Sequence, residues 1–561
     1  MAFIEIENLS FTYNGADKRA LDCVSLSIER GDFVVVSGKS GCGKTTLLKM
    51  LKRQLTPAGK IEGKITLDGN PLSSLDERES VAKIQMVMQN PDSQIVSDKA
   101  WHELVFCLEN LGENPRTVMR KVAEACGFLG IGDIYKKNTS ELSGGKKQLL
   151  NLASVIATGP DVLLLDEPTA QLDPVAANSF LSCLKRLNEE SGVTVIIVEH
   201  RLDDVFPMAT KALIMDHGKV VSFSAPEKIV GQYGDKRLDS LIFSSLPAPV
   251  KLFYATNGKG KCPLTVKDAI AYVRNNFENR YRDVGDEKNV DFSKNVAISI
   301  DGGYFRYERS LPDVLDGLDL KIYENEILCI FGGNGSGKTT LLKILAGIRK
   351  LYKGKYRLFG KKIKEYGNGL YRKNLSMLPQ NPRDLFVKSN VYDELYELTA
   401  FLGLEKPSRD NVVRSVAEKM KITRLFDRHP YDLSGGEAQK VAVAKILLLE
   451  PRVILLDEPT KGLDAYSKKE FSEILSDLKK QGKTIVAVTH DVEFAAEIAD
   501  RCATFFDGKI VAEGNKADFF ENNIYYTTSA ARITRGWYNG AFTCDRAIKL
   551  MNMNKRTDEN E

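Results

Sequence analysis

A chain of 561 residues is too long for one compact domain, and its 43% hydrophobic and 27% charged residues are those of a folded globular protein rather than a disordered one. The 79 basic and 75 acidic residues leave a net charge of only +4, which gives no electrostatic reason to expect a nucleic-acid partner. Nine cysteines, scattered without a CxxC pair, argue against a disulfide framework or a zinc or iron–sulfur site and fit a reduced cytosolic setting.

The N-terminus, MAFIEIENLSFTY, lacks a basic region followed by an apolar core, so no signal peptide is expected. Its alternation, repeated in NVAISIDGGYFRY, predicts an antiparallel β subdomain. Phe33–Val36, Val162–Leu165 and Val193–Val198 read as buried parallel strands, with helices over Thr45–Leu55 and Lys146–Ala157 between them. That alternation predicts an α/β fold with a mainly parallel central sheet. It is written twice. Lys44 answers Lys338, Ser143 answers Ser434 and His200 answers His490, at offsets of 294, 291 and 290 residues. No apolar run reaches the length of about 18 residues that a membrane-spanning helix needs.

The expected organisation is a first unit over 1–235 with a small C-terminal appendage over 236–281, then a polar linker over 282–295. A second unit over 296–525 and an appendage and tail over 526–561 complete it. The appendages share a short likeness, PLTVKDAIAYV near Asp268 and AFTCDRAIKLM near Arg546. The terminal NKRTDENE has the composition of a frayed end.

Two segments fit GxxxxGK[ST]: Gly38, Lys39, Ser40, Gly41, Cys42, Gly43, Lys44 and Thr45, and Gly332, Gly333, Asn334, Gly335, Ser336, Gly337, Lys338 and Thr339. Glycines let successive backbone N–H groups turn inward onto phosphate oxygens, and the following helix, which includes Thr46 or Thr340, adds its positive end. The lysine neutralises the β- and γ-phosphates and the threonine hydroxyl is suited to Mg²⁺. ATP with Mg²⁺ is therefore the expected cofactor pair. Each half also places a carboxylate pair after an apolar strand, Asp166-Glu167 and Asp457-Glu458. The first of each pair is expected to hold Mg²⁺ and the second to polarise the attacking water as general base. His200 and His490 follow further strands at the same sheet edge and are candidates for a γ-phosphate or water contact. His102, His217 and His429 lack that context and read as structural, and Cys42 reads as a small filler.

Leu142–Gly145 and Leu433–Gly436, both LSGG, resemble the signature motif of the ATP-binding-cassette family. The chain is similar to a tandem member of that family over both halves: two P-loop cassettes, each with a parallel-sheet core and antiparallel β and helical subdomains. The resemblance implies that Gln89 and Gln380 contact Mg²⁺ and couple to a partner, and that Tyr13 and Tyr307 stack on adenine. Leu172-Asp173 and Leu463-Asp464 match the family's D-loop. It further implies that the halves pair head to tail within the chain. Lys44 would then share a nucleotide with Ser434, Gly435 and Gly436, and Lys338 with Ser143, Gly144 and Gly145.

The segment QNPDSQ from Gln89, the stretch Trp101–Phe106 and VEHRLDDV around His200 resemble the ATPases of energy-coupling-factor importers of vitamins, their precursors or metal ions. That likeness implies a transmembrane coupling protein and a small substrate-binding membrane protein as partners, and a peripheral place on the cytoplasmic face of the membrane. The second half departs from the pattern, with Arg383 in place of the acidic residue and no second glutamine. Two alternatives stand beside it: a tandem cassette acting on ribosomes, and a tandem sugar-importer ATPase.

Overall fold

The apolar runs are strands buried on both faces. The computed structural model describes residues 2–16, 18–234, 245–281, 295–371, 373–403 and 405–555. In chain order the first ten strands are β1 (Ile4–Tyr13), β2 (Leu21–Ile28), β3 (Phe33–Gly38), β4 (Gly59–Leu67), β5 (Asn70–Pro71), β6 (Ile84–Val87), β7 (Val162–Asp166), β8 (Thr194–Val198), β9 (Lys211–Asp216) and β10 (Lys219–Ser224). They form an antiparallel sheet ordered β2-β1-β4-β5 and a six-stranded sheet ordered β10-β9-β3-β8-β7-β6. The second sheet is parallel except for β10 at one edge.

The same plan recurs in β11 (Val296–Phe305), β12 (Leu315–Tyr323), β13 (Ile327–Phe331), β14 (Lys353–Leu358), β15 (Lys361–Lys362), β16 (Leu375–Leu378), β17 (Val453–Asp457), β18 (Thr484–Val488), β19 (Arg501–Phe506) and β20 (Lys509–Asn515). Their sheets are ordered β12-β11-β14-β15 and β16-β17-β18-β13-β19-β20.

Period-two geometry explains why the parallel strands are apolar throughout. Phe33, Val35, Leu163, Leu165, Val195 and Ile197 face the helical layer. Their neighbours Val34, Val36, Val162, Leu164, Ile196 and Val198 face the antiparallel sheet. The second unit divides Ile327, Cys329 and Phe331 from Leu328 and Ile330 in the same way. Each parallel sheet is thus sandwiched, and its C-terminal edge is held rigidly for the loops that leave it.

The first P-loop helix is shorter than Thr45–Leu55: it runs Lys44–Met50, with a separate 3₁₀ turn at Arg53–Leu55. Lys52 leaves helical conformation and turns its ammonium onto the Ile84 carbonyl. Burial pushes its pKa down to about 8.

The chain divides into two units, Met1–Ala269 and Ile270–Glu561. That division falls inside the helix Val266–Asn276, ahead of the expected linker, of which only Asn295 is among the described residues. Residues 236–244 of the first appendage and 556–561 of the tail also lie outside them. Phe277 to Tyr281 belong to the second unit for a visible reason. Tyr281 N donates to Asn554 Oδ1 (2.8 Å), Asn554 Nδ2 donates to Tyr281 O (2.7 Å), and Glu278 N donates to Asn554 O (2.8 Å). The short likeness between the appendages is a shared helix start: Thr265 caps Asp268 N and Thr543 caps Arg546 N.

Candidate active sites

Each GxxxxGK[ST] segment bridges the end of β3 or β13 and a helix, Lys44–Met50 or Lys338–Leu345. The lysine side chain folds back over its own loop. Lys44 Nζ donates to Gly38 O and Lys39 O, both at 2.8 Å, and Lys338 Nζ to Gly332 O and Gly333 O, both at 2.9 Å. Gly43 and Gly337 adopt φ of 101° and 104°, and a Cβ there would come within 2.4 Å of Ala20 O or 2.7 Å of Val314 Cγ1. Only glycine fits at either position. Gly41 and Gly335 also have positive φ, but with open space beside them. Ser40 and Asn334 stand in the loops, and Cys42 and Ser336 occupy one position. Cys42 is buried, and that burial pushes its thiol up. Ser336 Oγ is buried without a hydrogen-bond partner among the described residues, a polar atom that a phosphate oxygen would satisfy.

Behind each loop, Thr45 Oγ1 donates to Asp166 Oδ1 (3.1 Å) and Thr339 Oγ1 to Asp457 Oδ1 (3.2 Å). Burial pushes the Asp166 carboxyl up to about 6, aided by Glu167 and opposed by the Thr45 bond and Lys44. Asp457 is raised by burial and held back by Thr339 and Lys338. Two hard oxygen donors whose ionised form is disfavoured in the bare site suit a divalent cation, which would reverse that penalty.

Glu167 and Glu458 take φ of 45° and 47°, unusual for a non-glycine residue and the same in both copies. Such strain is retained where surrounding structure requires it, commonly at functional positions. It aims both carboxylates at the histidines: His200 Nε2 lies 2.8 Å from Glu167 Oε1, and His490 Nε2 lies 3.2 Å from Glu458 Oε1. Burial pushes Glu458 up to about 7, opposed by Lys338. Gln89 Nε2 donates to Glu167 Oε2 at 2.7 Å. Gln380 has no matching bond to Glu458 among the described residues. The three groups expected to act together are brought together in the first unit, and two of the three in the second.

Tyr13 and Tyr307 present partly exposed rings, and each hydroxyl is 2.9 Å from a threonine of the P-loop helix, Thr46 Oγ1 or Thr340 Oγ1. No sequence motif announces that latch, though the 33-residue separation is the same in both copies. Ser143 and Ser434 are N-caps of the helices Gly144–Ile156 and Gly435–Leu447, and Ser434 forms a full capping box with Glu437. Gly144 and Gly145, or Gly435 and Gly436, open those helices and set their amide ends free of side chains.

Sequence reasoning passed over Glu199. It is buried beside the histidine, accepting from Thr169 N (3.1 Å) and Thr169 Oγ1 (2.6 Å) on one oxygen and from His200 N (3.2 Å) on the other. Its only sequence signal is VEH against VTH, since Thr489 occupies the position in the second half.

The "ABC transporter" family model matches residues 21–170 and 315–461. Relatives named "Putative ABC transporter ATP-binding protein" include one from Bacillus cereus, 39% identical over 544 residues and covering 95% of each chain. Another, from Methanosarcina acetivorans, is 32% identical, covering 92% of this chain and 87% of its own. Among solved structures, the archaeal ribosome recycling factor aABCE1, in complex with ribosomal stalk protein aP1, is 20% identical with a TM-score of 0.57, covering 92% of this chain and 91% of that one. That likeness concerns the fold alone. The cbiO1 protein of Clostridium perfringens, part of the complex cbiONQ, is 28% identical over 42% of this chain and 96% of its own, with a TM-score of 0.37. With two complete P-loop units matched by the family model and relatives alike along nearly its whole length, the chain belongs to the ABC transporter family and is a tandem ATPase.

Proposed function

We propose that the chain hydrolyses ATP in two composite sites, each pairing the P-loop of one half with the signature of the other, and that this powers uptake of a small molecule through a separate membrane complex. The observation that carries the reading is the Gln89–Glu167–His200 cluster, which joins the hydrolytic carboxylate to the loop leading out to the helical layer. Within each site, Lys44 or Lys338 leaves its loop carbonyls to meet the β- and γ-phosphates. The loop N–H groups, Ser143 to Gly145 or Ser434 to Gly436, and the hydroxyl-anchored Tyr13 or Tyr307 orient the nucleotide. Mg²⁺, for which Thr45, Asp166 and Gln89, or Thr339, Asp457 and Gln380, are the fitting ligands, supplies charge neutralisation on the phosphates. Glu167 and Glu458 orient the attacking water and take its proton, held in place by His200 and His490.

The loop after Gln89 supports the importer reading. Gln94 Oε1 accepts from Met88 N (2.9 Å) and its Nε2 donates to Met86 O (3.1 Å), which stiffens the loop. Next to it lies a groove of 430 Å³ lined by Val96, His102, Val105, Phe106 and Glu109. Phe106 is about half exposed there at 49%, an apolar anchor of the kind that receives a partner helix. No helix of the described residues is long and apolar enough to cross a membrane, and the reading assigns the spanning part of the machine to a separate protein. The coupling protein and the substrate-binding protein fill that role, with the chain peripheral on the cytoplasmic face.

Two experiments test this. Glu167→Gln and Glu458→Gln, made separately, should each lower steady-state hydrolysis at least tenfold; full turnover in either variant refutes two competent sites. Affinity purification after detergent extraction should recover small membrane proteins. Recovery with ribosomes instead overturns the importer reading.

A further inference from the structure

The two halves place one backbone amide differently. Glu199 and Thr489 occupy equivalent positions at the sheet edge: Glu199 N donates to Val36 O (3.3 Å) and Thr489 N to Ile330 O (3.2 Å). Glu167 N and Glu458 N likewise donate to Val198 O (3.0 Å) and Val488 O (2.8 Å). From that shared frame the hydrogen bonds diverge. In the second half, His490 N donates to Glu458 Oε2 (3.1 Å), while Thr489 Oγ1 accepts from Asp491 N (3.0 Å). In the first half, His200 N donates to Glu199 Oε2. Glu167 Oε2 is thereby left for Gln89 Nε2. The other Glu199 oxygen grips Thr169, two residues beyond Glu167.

We propose that Glu199 is a positioning residue of the first site: by taking the His200 N–H it frees the Glu167 carboxylate to be held by Gln89, so the first half alone ties its hydrolytic carboxylate to the loop that borders the partner groove. The inference rests on the reading of Glu167 and Glu458 as general bases. Three features support it. Glu199 is only 3% exposed, so its position is imposed by packing rather than chosen by solvent. Its burial, which penalises the charged form, is opposed first by the two Thr169 bonds. And the Glu458 carboxylate, in the half without such a brace, meets only His490 among the described residues: His490 N donates to Oε2 (3.1 Å), and His490 Nε2 lies 3.2 Å from Oε1. One carboxylate is shared between its histidine and the loop glutamine; the other is contacted by its histidine. The two sites are chemically alike and mechanically different.

The test is a mutant cycle on the full chain, reading single-turnover ATP hydrolysis with one site disabled. The first site is read in Glu458→Gln and the second in Glu167→Gln. Gln89→Ala should slow the first site severalfold more in the native background than once Glu199→Thr is present, whereas Glu199→Gln, which keeps one acceptor oxygen, should preserve the larger effect. Conversely, Gln380→Ala should slow the second site severalfold more once Thr489→Glu is present than in the native background. A purely structural role for Glu199 would lower rates without changing the response to Gln89→Ala. A second readout needs no turnover. Amide hydrogen exchange of nucleotide-free protein should quicken over residues 88–95 in Glu199→Thr and not in Glu199→Gln. Equal effects of Gln89→Ala with and without Glu199→Thr overturn the proposal, as does unchanged exchange over 88–95. If the double variant Glu167→Gln with Glu458→Gln still hydrolyses ATP, the general-base reading fails, and the exchange result alone decides the role of Glu199.

Discussion

Lys445 is the sharpest place to perturb the helical layer. Its ammonium is buried against the Glu394 carboxylate and the Leu385 carbonyl, and Glu394 is wholly buried. Glu394 Oε2 also accepts from Val387 N (2.8 Å) and Lys388 N (2.6 Å), which shapes the turn that presents Val387, 74% exposed, to solvent. Lys445→Met removes the cation and leaves the carboxylate buried. Breaking a buried pair from one side costs about 3–5 kcal/mol, and the two remaining amides place this case at the lower end, about 3 kcal/mol. For a unit this large, about 2 °C of midpoint is lost per kcal/mol, so calorimetry of the full chain should show one transition falling by about 6 °C. Adding Glu394→Gln should restore most of it, because no buried charge remains while an amide oxygen still serves Val387 and Lys388. A shift under about 1 °C in Lys445→Met, or a double variant no more stable than the single, refutes the reasoning. The first half offers an internal control: Ser154 stands where Lys445 does, and Glu103 meets Val96 N and Ser97 N with no lysine at that position.

Gly43→Ala should abolish binding of a fluorescent ATP analogue at the first P-loop, since a Cβ there meets Ala20 O at 2.4 Å. Gly41→Ala, with open space beside it and only the left-handed φ to bear, should cost about 1–2 kcal/mol and weaken binding by no more than about thirtyfold. The nucleotide-free protein should also lose stability with rising pH through Glu458. Its folded pKa of about 7 lies above the unfolded 4.5, so the neutral carboxyl favours the native state at low pH, and that advantage fades as pH climbs from about 4.5 to about 7. Glu458→Gln cannot ionise, so its melting temperature relative to wild type should rise across that window and level off above it; a constant difference sinks the assignment.

Much of this was readable from residues because the information is local. A strand buried on both faces must be apolar at every position, as Phe33–Val36 is, and a loop cradling phosphate must have glycine where Gly43 takes its positive φ. The carboxylate pairs and histidines follow strands, so placing the strands placed them too. What escaped depends on meetings between segments distant in sequence. Glu199 is one letter in VEH until Thr169 and His200 are seen converging on it. Lys52 looks like one more helical residue until its ammonium finds the Ile84 carbonyl. The linker is polar and reads as a boundary, yet Asn554 draws residues 277–281 into the second unit through paired side-chain and backbone bonds that composition does not encode.

Several differences between the halves adjoin the glutamine loop. In the first, Asp92 pairs with Lys147 at 2.6 Å and Gln94 braces the loop through Met86 and Met88. In the second, Arg383 instead donates to the Leu433 carbonyl of the signature (3.1 Å), and Leu385 packs into the core below Lys445. Together with Glu199 against Thr489, these exchanges lie along one route, from the hydrolytic carboxylate through the glutamine loop to the helical layer. The lysines, threonines, aspartates and glutamates around the phosphate position are identical. A machine whose two engines burn the same fuel but press on unlike parts of one partner would be built this way. Exchanging the two loops, residues 90–96 for 381–387 and the reverse, should then leave hydrolysis by the isolated chain within about threefold while lowering its stimulation by the proposed membrane partner. Equal stimulation after the exchange would show that the loops are interchangeable and the asymmetry idle.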